Sequence, residues 1–149
     1  MKFIWEEGKT TQFNRTLAFS YKAVRCGDVL TLAAGDFYRV FLNGEFLSYG
    51  PSRTAAGYSR LREIVLPNDG VVVVEVAGYN TACYSNDKFP PYFGAEIIRD
   101  GSVVATTDDF IGVYLNDRLQ KVERYSYQRN YVEIYTQEGD RYSFYRGTE

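Results

Sequence analysis

The sequence predicts an all-β fold, an antiparallel β-sandwich or jelly roll. Runs of about five to seven residues rich in Val, Ile, Phe and Tyr recur at intervals of about 8–12 positions, with turn residues between them. The chain contains 14 Tyr and 10 Phe among its 149 residues, and aromatic and β-branched side chains favour the half-buried surface of a sheet. No segment of helix length carries an apolar stripe with the 3.6-residue period of a helix. We expect a single domain over residues 1–149.

The first predicted strands lie between residues 28 and 49. Residues 28–34 form a strand that is closed by Gly35, and residues 37–42 and 45–49 flank the dipeptide Asn43-Gly44. Asn-Gly between two apolar runs predicts a hairpin with a type I′ turn, since both central residues of that turn need a positive φ. Alternate side chains of the first arm share a face. One face carries Tyr38, Val40 and Leu42, and the other carries Phe37, Arg39 and Phe41.

The middle of the chain predicts two further strands and a second hairpin. Residues 58–66 alternate loosely between apolar and polar side chains. Residues 71–77 contain four consecutive valines and predict a strand that is buried on both faces. Residues 95–99 and 102–106 flank Asp100-Gly101, which again favours a two-residue hairpin turn.

The last third of the chain has a less regular pattern. Residues 110–115 predict a strand, and residues 122–129, 131–135 and 142–149 predict extended segments. Because the strand pattern continues to residue 149, we expect residues 113–149 to include strands that lead toward a further domain. The chain is accordingly predicted to be a fragment of a larger multidomain protein.

Charge and hydropathy exclude several classes of partner. The net charge is −2, which argues against nucleic-acid binding and against electrostatic attachment to a membrane. No apolar run reaches the roughly 18 residues of a membrane span. The first residues lack the apolar core of a signal peptide, so we expect a cytoplasmic location, or a periplasmic or secreted one if a signal peptide has been removed. Cys26 and Cys83 are expected to be buried thiols, with a single disulfide between them as the alternative.

The sequence contains no histidine. This excludes His-based acid–base catalysis, the Ser–His and Cys–His nucleophile pairs, and most zinc sites. The adjacent carboxylates Asp108 and Asp109 would point to opposite faces of a strand, so they could not flank one glycosidic bond, and we interpret them as part of a turn. No catalytic residue is predicted, and the chain is expected not to be an enzyme by itself.

A series of short motifs resembles the N-terminal domain of bacterial α-L-rhamnosidases. The resemblance covers roughly residues 30–135. One residue departs from the family pattern, since Phe110 stands where the family places a Trp. The matching motifs are, in order, Tyr38-Arg39 with Asn43-Gly44, Gly50-Pro51-Ser52-Arg53, Tyr58, residues 74–80, residues 94–97, residues 106–110, and residues 125–129 with residues 133–135.

The resemblance implies a jelly roll like that of galactose-binding domains, placed before a catalytic (α/α)6 barrel in a glycoside hydrolase. In that family the catalytic acid and base lie on the barrel, to which nothing in this chain corresponds. The implied function is a non-catalytic accessory domain that supports recognition of a rhamnoside glycan or braces the barrel. Its partners would be a rhamnose-containing glycan or the downstream catalytic domain. The alternative is a freestanding lectin-like sandwich that binds carbohydrate or protein.

Two loops carry the candidate sugar-binding residues. Sugar sites combine an aromatic face with hydrogen-bonding side chains, and the loops of sandwich proteins commonly carry binding sites. Structural roles are the alternative, as turn residues or as contacts to a partner domain. No cofactor is expected, although Asn86 and Asp87 leave calcium binding open, without EF-hand spacing. The candidates are Arg53, Tyr58 and Arg60 in the first loop and Tyr79, Asn80, Tyr84, Asn86 and Asp87 in the second.

Overall fold

The computed structural model describes residues 1–52, 54–55, 57–82, 88–124, 131–136 and 141–147. Within these residues, nine strands form two antiparallel sheets, which confirms the predicted β-sandwich. A 3-10 helix at Thr107–Asp109 and one short α-helix, α1, complete the secondary structure of this part of the chain. The bounds are β1 Arg15–Val24, β2 Val29–Gly35, β3 Phe37–Leu42, β4 Glu45–Gly50, β5 Arg62–Val65, β6 Gly70–Gly78, β7 Tyr92–Arg99, β8 Ser102–Ala105, β9 Ile111–Tyr114 and α1 Arg141–Arg146.

The chain crosses repeatedly between the two sheets. The five-stranded sheet has the order β4-β3-β6-β1-β9, and the four-stranded sheet has the order β5-β2-β7-β8. Two pairs of consecutive strands, β3–β4 and β7–β8, are neighbours in a sheet. The other connections run from one sheet to the other, as in jelly rolls.

Both predicted hairpins are confirmed. Asn43 and Gly44 have φ values of 53° and 83°, and Asp100 and Gly101 have φ values of 51° and 78°. These left-handed conformations are what a type I′ turn requires. The side chain of Asn43 also donates a hydrogen bond to the Asp69 carbonyl (2.8 Å) and ties the first turn to the start of β6.

The core between the sheets is apolar and aromatic. Phe19 of β1 stacks on Phe93 of β7 with ring centroids 4.0 Å apart and an angle of 2° between the planes. Phe110 meets Phe93 edge-on at 5.4 Å. Alternate valines of β6 point into this core, and Val71 and Val73 are buried on the opposite, outer face. The prediction that this strand is buried on both faces is therefore confirmed.

Strand β1, which lies between β6 and β9, was not predicted. Its core-facing side chains are Leu17, Phe19 and Tyr21. That period-two alternation is the signal that could have identified the strand. The same strand carries Arg15, Ser20 and Lys22, so its apolar pattern is weaker than that of β6.

The C-terminal third of the chain agrees with the prediction only in part. Strand β9 and the turn at Asp108-Asp109 are confirmed, the latter as a 3-10 helix in which the Asp109 carboxylate accepts a hydrogen bond from the Thr106 N–H (2.8 Å). The predicted extended segment at residues 131–135 forms two isolated β-bridges, Arg118–Tyr135 and Arg124–Tyr131. Residues 125–129 of the predicted extended segment 122–129 lie outside the described residues.

The extended segment predicted at residues 142–149 is wrong over residues 142–146, which belong to helix α1. Residues 148–149 lie outside the described residues. Phe144 and Tyr145 of α1 pack with Val71 and Val73 on the outer face of the five-stranded sheet. The ring of Tyr145 meets Phe41 at 5.0 Å. A helix this short depends on such tertiary packing, which local sequence pattern does not reveal.

Two further observations concern the cysteines and membrane insertion. Cys26 is exposed, with its thiol 3.1 Å from the Pro67 carbonyl oxygen, so the expectation that it is buried is wrong. Cys26 lies in the tight connection from β1 to β2, where the core does not reach. Cys83 lies outside the described residues. In the part of the chain that the structure describes, no helix has the length and apolar character needed to cross a bilayer.

Candidate functional site

The outer face of the five-stranded sheet carries a buried ion pair. Glu75 points outward from β6 and forms a salt bridge with Arg118, and the two side chains are 4% and 10% exposed. Arg118 also lies 4.0 Å from the Asp117 carboxylate and over the ring of Tyr135, at 4.8 Å from its centroid. Burial alone would lower the pKa of Arg118, but Glu75 and Tyr135 together raise it above its ordinary value. This pair fastens the segment after β9 to the sheet.

A second, more exposed ion pair lies beside the first. Arg39 of β3 donates to the Glu133 carboxylate (2.9 Å), and the Tyr135 hydroxyl donates to the same carboxylate (2.7 Å). Burial would raise the pKa of Glu133, but the hydrogen bonds from Tyr135 and Arg39 lower it below its ordinary value. Glu133 is therefore held as an anion that can accept hydrogen bonds. The side chains of Arg39 and Glu133 are 32% and 38% exposed, so both reach solvent.

A small cavity lies between these two ion pairs. Its volume is about 30 Å³, which gives room for one or two water molecules and not for a sugar ring. Among its lining residues is Tyr79, one of the predicted site residues. Burial, followed by the nearby Glu133 carboxylate, raises the pKa of Tyr79 to about 12. The cavity is lined by Asn14, Thr16, Phe37, Arg39, Glu75, Ala77, Tyr79, Tyr114, Leu115, Arg118, Leu119, Val132, Glu133 and Ile134.

Next to the cavity, four rings form an aromatic strip on strands β3 and β4, made of Phe37, Phe41, Phe46 and Tyr49. The register of the β3–β4 pair shifts after Val40, so that Phe41 faces Phe46 and Arg39 faces Tyr49. This β-bulge adds a residue to β4 and brings the side chains of Phe46 and Tyr49 together, although they are three positions apart.

The rings of Phe46 and Tyr49 are the exposed part of the aromatic strip. Their centroids are 6.4 Å apart with 26° between the planes, and the two residues are 58% and 62% exposed. Phe37 contacts Tyr49 at 6.2 Å, and Phe41 meets Phe46 edge-on at 6.0 Å. Two nearly parallel rings thus face solvent, supported by two less exposed ones.

The sequence-predicted site residues that the structure describes lie in different parts of the fold. Asn80 is buried in a turn with φ 50°, where its N–H donates to the Asp36 carboxylate (2.8 Å) and its amide donates to the Thr10 carbonyl (3.0 Å). Asn80 therefore has a structural role as a turn residue. Tyr79 lines the cavity on the five-stranded sheet.

The remaining predicted residues belong to the two loops. Tyr58 and Arg60 are exposed in the connection before β5, and the Tyr58 N–H donates to the Ala55 carbonyl (3.1 Å). Four candidates lie outside the described residues, and ligand binding by all eight stays a prediction. The four are Arg53, Tyr84, Asn86 and Asp87.

Sequence reasoning missed the side chains that the fold gathers on the outer face. Glu75 was visible as the one charge among the valines of β6, which is a signal for a buried ion pair. Phe46 and Tyr49 have opposite parity along a regular strand, so only the bulge places them side by side. Within the described residues, no three side chains of the His, Cys, Asp and Glu types cluster as metal ligands would. Calcium binding through Asn86 and Asp87 stays a prediction.

Comparison with known proteins identifies a similar fold. No protein-family model and no curated protein sequence matches the chain. The crystal structure of a GH78 family rhamnosidase of Bacillus sp. GL1 superimposes with a TM-score of 0.79 over 89% of this chain, at 20% sequence identity. The matched region makes up 15% of the rhamnosidase chain. At this identity the similarity establishes the shared β-sandwich fold.

Proposed function

We propose that this chain is a non-catalytic accessory β-sandwich of an α-L-rhamnosidase-like glycoside hydrolase, placed before its catalytic barrel. The observation that carries the proposal is the coverage of the structural match, 89% of this chain and 15% of the rhamnosidase. A rhamnosidase therefore contains a region with the fold of nearly the whole chain. The ordered motifs from Tyr38 to Tyr135 point to the same family.

The interactions of the Glu75 and Glu133 carboxylates on the outer face support a role without catalysis. A glycosidase general acid needs a raised pKa, so that its carboxyl group is protonated at working pH. The pKa of Glu133 is shifted the other way, because Tyr135 and Arg39 stabilise its anion. Glu75 is buried and salt-bridged to Arg118. Glu133 is therefore not poised to protonate a glycosidic oxygen.

The outer face also suits the supporting roles that this domain would have. The aromatic strip and the Arg39–Glu133 pair offer apolar and hydrogen-bonding groups side by side. Such a mixed surface can contact a glycan or a neighbouring catalytic domain. Recognition of a rhamnoside and bracing of the barrel are the two ways in which the chain would support hydrolysis.

The test is a hydrolysis assay of the 149-residue chain with a chromogenic α-L-rhamnoside, beside a complete GH78 rhamnosidase as positive control. We expect no turnover above buffer, and the Glu133→Gln chain as a matched control should give the same baseline. Turnover comparable with that of the complete enzyme would overturn the proposal. Turnover that disappears in Glu133→Gln would in addition make this carboxylate a catalytic residue.

A second candidate is a freestanding lectin-like sandwich, which the exposed pair Phe46 and Tyr49 favours. It predicts measurable affinity of the chain for rhamnose-containing glycans without any catalytic domain. Calorimetric titration across a glycan panel tests it, with Arg53→Ala and Tyr84→Ala probing the loops predicted from sequence. Flat titrations across the panel would remove this candidate and leave the accessory role.

A further inference from the structure

We infer that Phe46 and Tyr49 form a platform for a pyranose ring, and that Arg39 and Glu133 hydrogen-bond its hydroxyl groups. The inference deepens the proposed function, on which it rests for the choice of a rhamnoside as ligand. The site lies on a sheet face, whereas the sequence-predicted residues lie in loops. It consists of the aromatic strip and the exposed ion pair beside it.

The geometry of the strip fits a flat apolar ligand face. The rings of Phe46 and Tyr49 have centroids 6.4 Å apart and planes inclined by only 26°, and both residues are more than half exposed, so ring surface of each is open to a ligand. Phe37 and Phe41 support these rings at 6.2 and 6.0 Å. Because this support restricts the side chains, less conformational entropy is lost when a ligand binds.

Arg39, Glu133 and Tyr135 form a polar rim beside the aromatic rings. In the β3–β4 register, Arg39 lies opposite Tyr49, and its guanidinium is 5.3 Å from the centroid of Phe37. Arg39 offers N–H donors, and the Glu133 carboxylate and the Tyr135 hydroxyl offer acceptors. Since both members of the ion pair reach solvent, sugar hydroxyl groups can join their hydrogen bonds without breaking the pair.

The aromatic rings and the polar side chains beside them together select the class of ligand. A pyranose presents C–H groups on its ring faces and hydroxyl groups around its edge, and a rhamnose adds an apolar methyl group. A nucleobase would also stack on aromatic rings, but a net charge of −2 does not favour a phosphate backbone. A pyranoside can therefore stack on the aromatic rings and form hydrogen bonds with Arg39 and Glu133.

The edge of strand β4 argues against an added protein strand as the occupant. Arg62 of β5 donates to the Tyr49 carbonyl (2.8 Å), which occupies one backbone acceptor of β4. Pro51 directly follows the strand. Side-chain capping and proline are devices that protect an edge strand from pairing. A ligand would therefore meet the aromatic face of strand β4 and not its backbone edge.

The experiment is calorimetric titration of the 149-residue chain with methyl α-L-rhamnopyranoside. We expect saturable binding that Phe46→Ala and Tyr49→Ala each weaken by about tenfold or more, since truncation of a central aromatic anchor costs on that order. Tyr49→Phe keeps the ring and should retain the affinity. Phe3→Ala is the matched control, because it removes an aromatic ring that is 51% exposed and contacts Tyr92, outside the aromatic strip. Tyr58→Ala tests the loop that was predicted from sequence. Should Phe46→Ala fail to fold, Phe46→Leu tests the flat ring in its place.

Three results would overturn the inference. The first is absence of binding at saturating sugar concentrations, and the second is loss of binding in Tyr58→Ala with full affinity in the strip variants. The third is self-association of the chain through the strip, abolished by Tyr49→Ala, without sugar affinity. The proposed function fails in a different assay, since chromogenic turnover by the chain would refute the accessory role whether or not the strip binds sugar.

Discussion

The buried ion pair between Glu75 and Arg118 gives a quantitative test of how the C-terminal segment is held on the sheet. The two side chains are only 4% and 10% exposed. Removing one partner of such a pair leaves the other charge buried, which costs about 3–5 kcal/mol. Glu75→Gln leaves Arg118 with the Asp117 carboxylate at 4.0 Å, so we expect the lower end, about 3 kcal/mol.

The double variant separates the pair energy from the cost of each truncation. Arg118→Met leaves the Glu75 carboxylate buried without its partner, and we expect a loss of about 3–5 kcal/mol. In Glu75→Gln/Arg118→Met both charges of the Glu75–Arg118 pair are gone, so the loss should be smaller than the sum of the single losses by about 2 kcal/mol or more.

Urea denaturation at neutral pH measures these free energies of unfolding, provided that the slope with denaturant is unchanged among the variants. Glu63→Gln, on the exposed side of edge strand β5, is the matched control and should unfold like the parent chain. A loss below about 0.5 kcal/mol for Glu75→Gln, or additivity of the single losses, would refute the reasoning.

Three further outcomes follow from the core and from the titrating groups. Phe93→Ala removes the ring that stacks on Phe19 at 4.0 Å and should lower the free energy of unfolding by about 3–5 kcal/mol in urea denaturation; a loss below about 1 kcal/mol would contradict the stacked core. Because the folded-state pKa of Glu133 lies below its ordinary value of 4.5, its stabilising contribution is complete above that pH and is lost as the pH falls through the folded pKa. The stability of Glu133→Gln should therefore approach that of the parent chain below pH 4.5, and a constant difference down to acid pH would count against this. Burial raises the pKa of Tyr79 to about 12, so alkaline titration followed by tyrosinate absorbance should lose a step near that pH in Tyr79→Phe, and the loss of a step at the ordinary value instead would argue against a buried phenol.

The strands that sequence predicted correctly are those whose pattern is local. The positive φ at Asn43 and Asp100 is encoded by two-residue motifs, and the burial of β6 follows from its valine run. Strand β1 and helix α1 are different, because their positions depend on partners distant in sequence. Leu17 lies opposite Val76 in the sheet, and Tyr145 packs against Phe41.

The candidate site was less predictable than the fold for the same reason. The side chains of Arg39 and Glu133 meet across 94 positions of sequence, and no local pattern indicates that they do. The bulge between β3 and β4 changes which side chains of β4 share a face, and strict alternation would have separated Phe46 from Tyr49. Sequence favours loop residues as candidates because loops often carry function, whereas the exposed rings lie on a strand.

One NMR titration tests the central claim that this chain recognises a rhamnoside on its sheet face and does not hydrolyse it. Methyl α-L-rhamnopyranoside is added to the isotope-labelled chain while the backbone amide signals and the anomeric signal of the sugar are recorded together. We predict shift changes centred on β3, β4 and residue 133, with the anomeric signal unchanged over days. Release of free rhamnose, or shift changes confined to residues 58–60 and 79–80, would contradict the account.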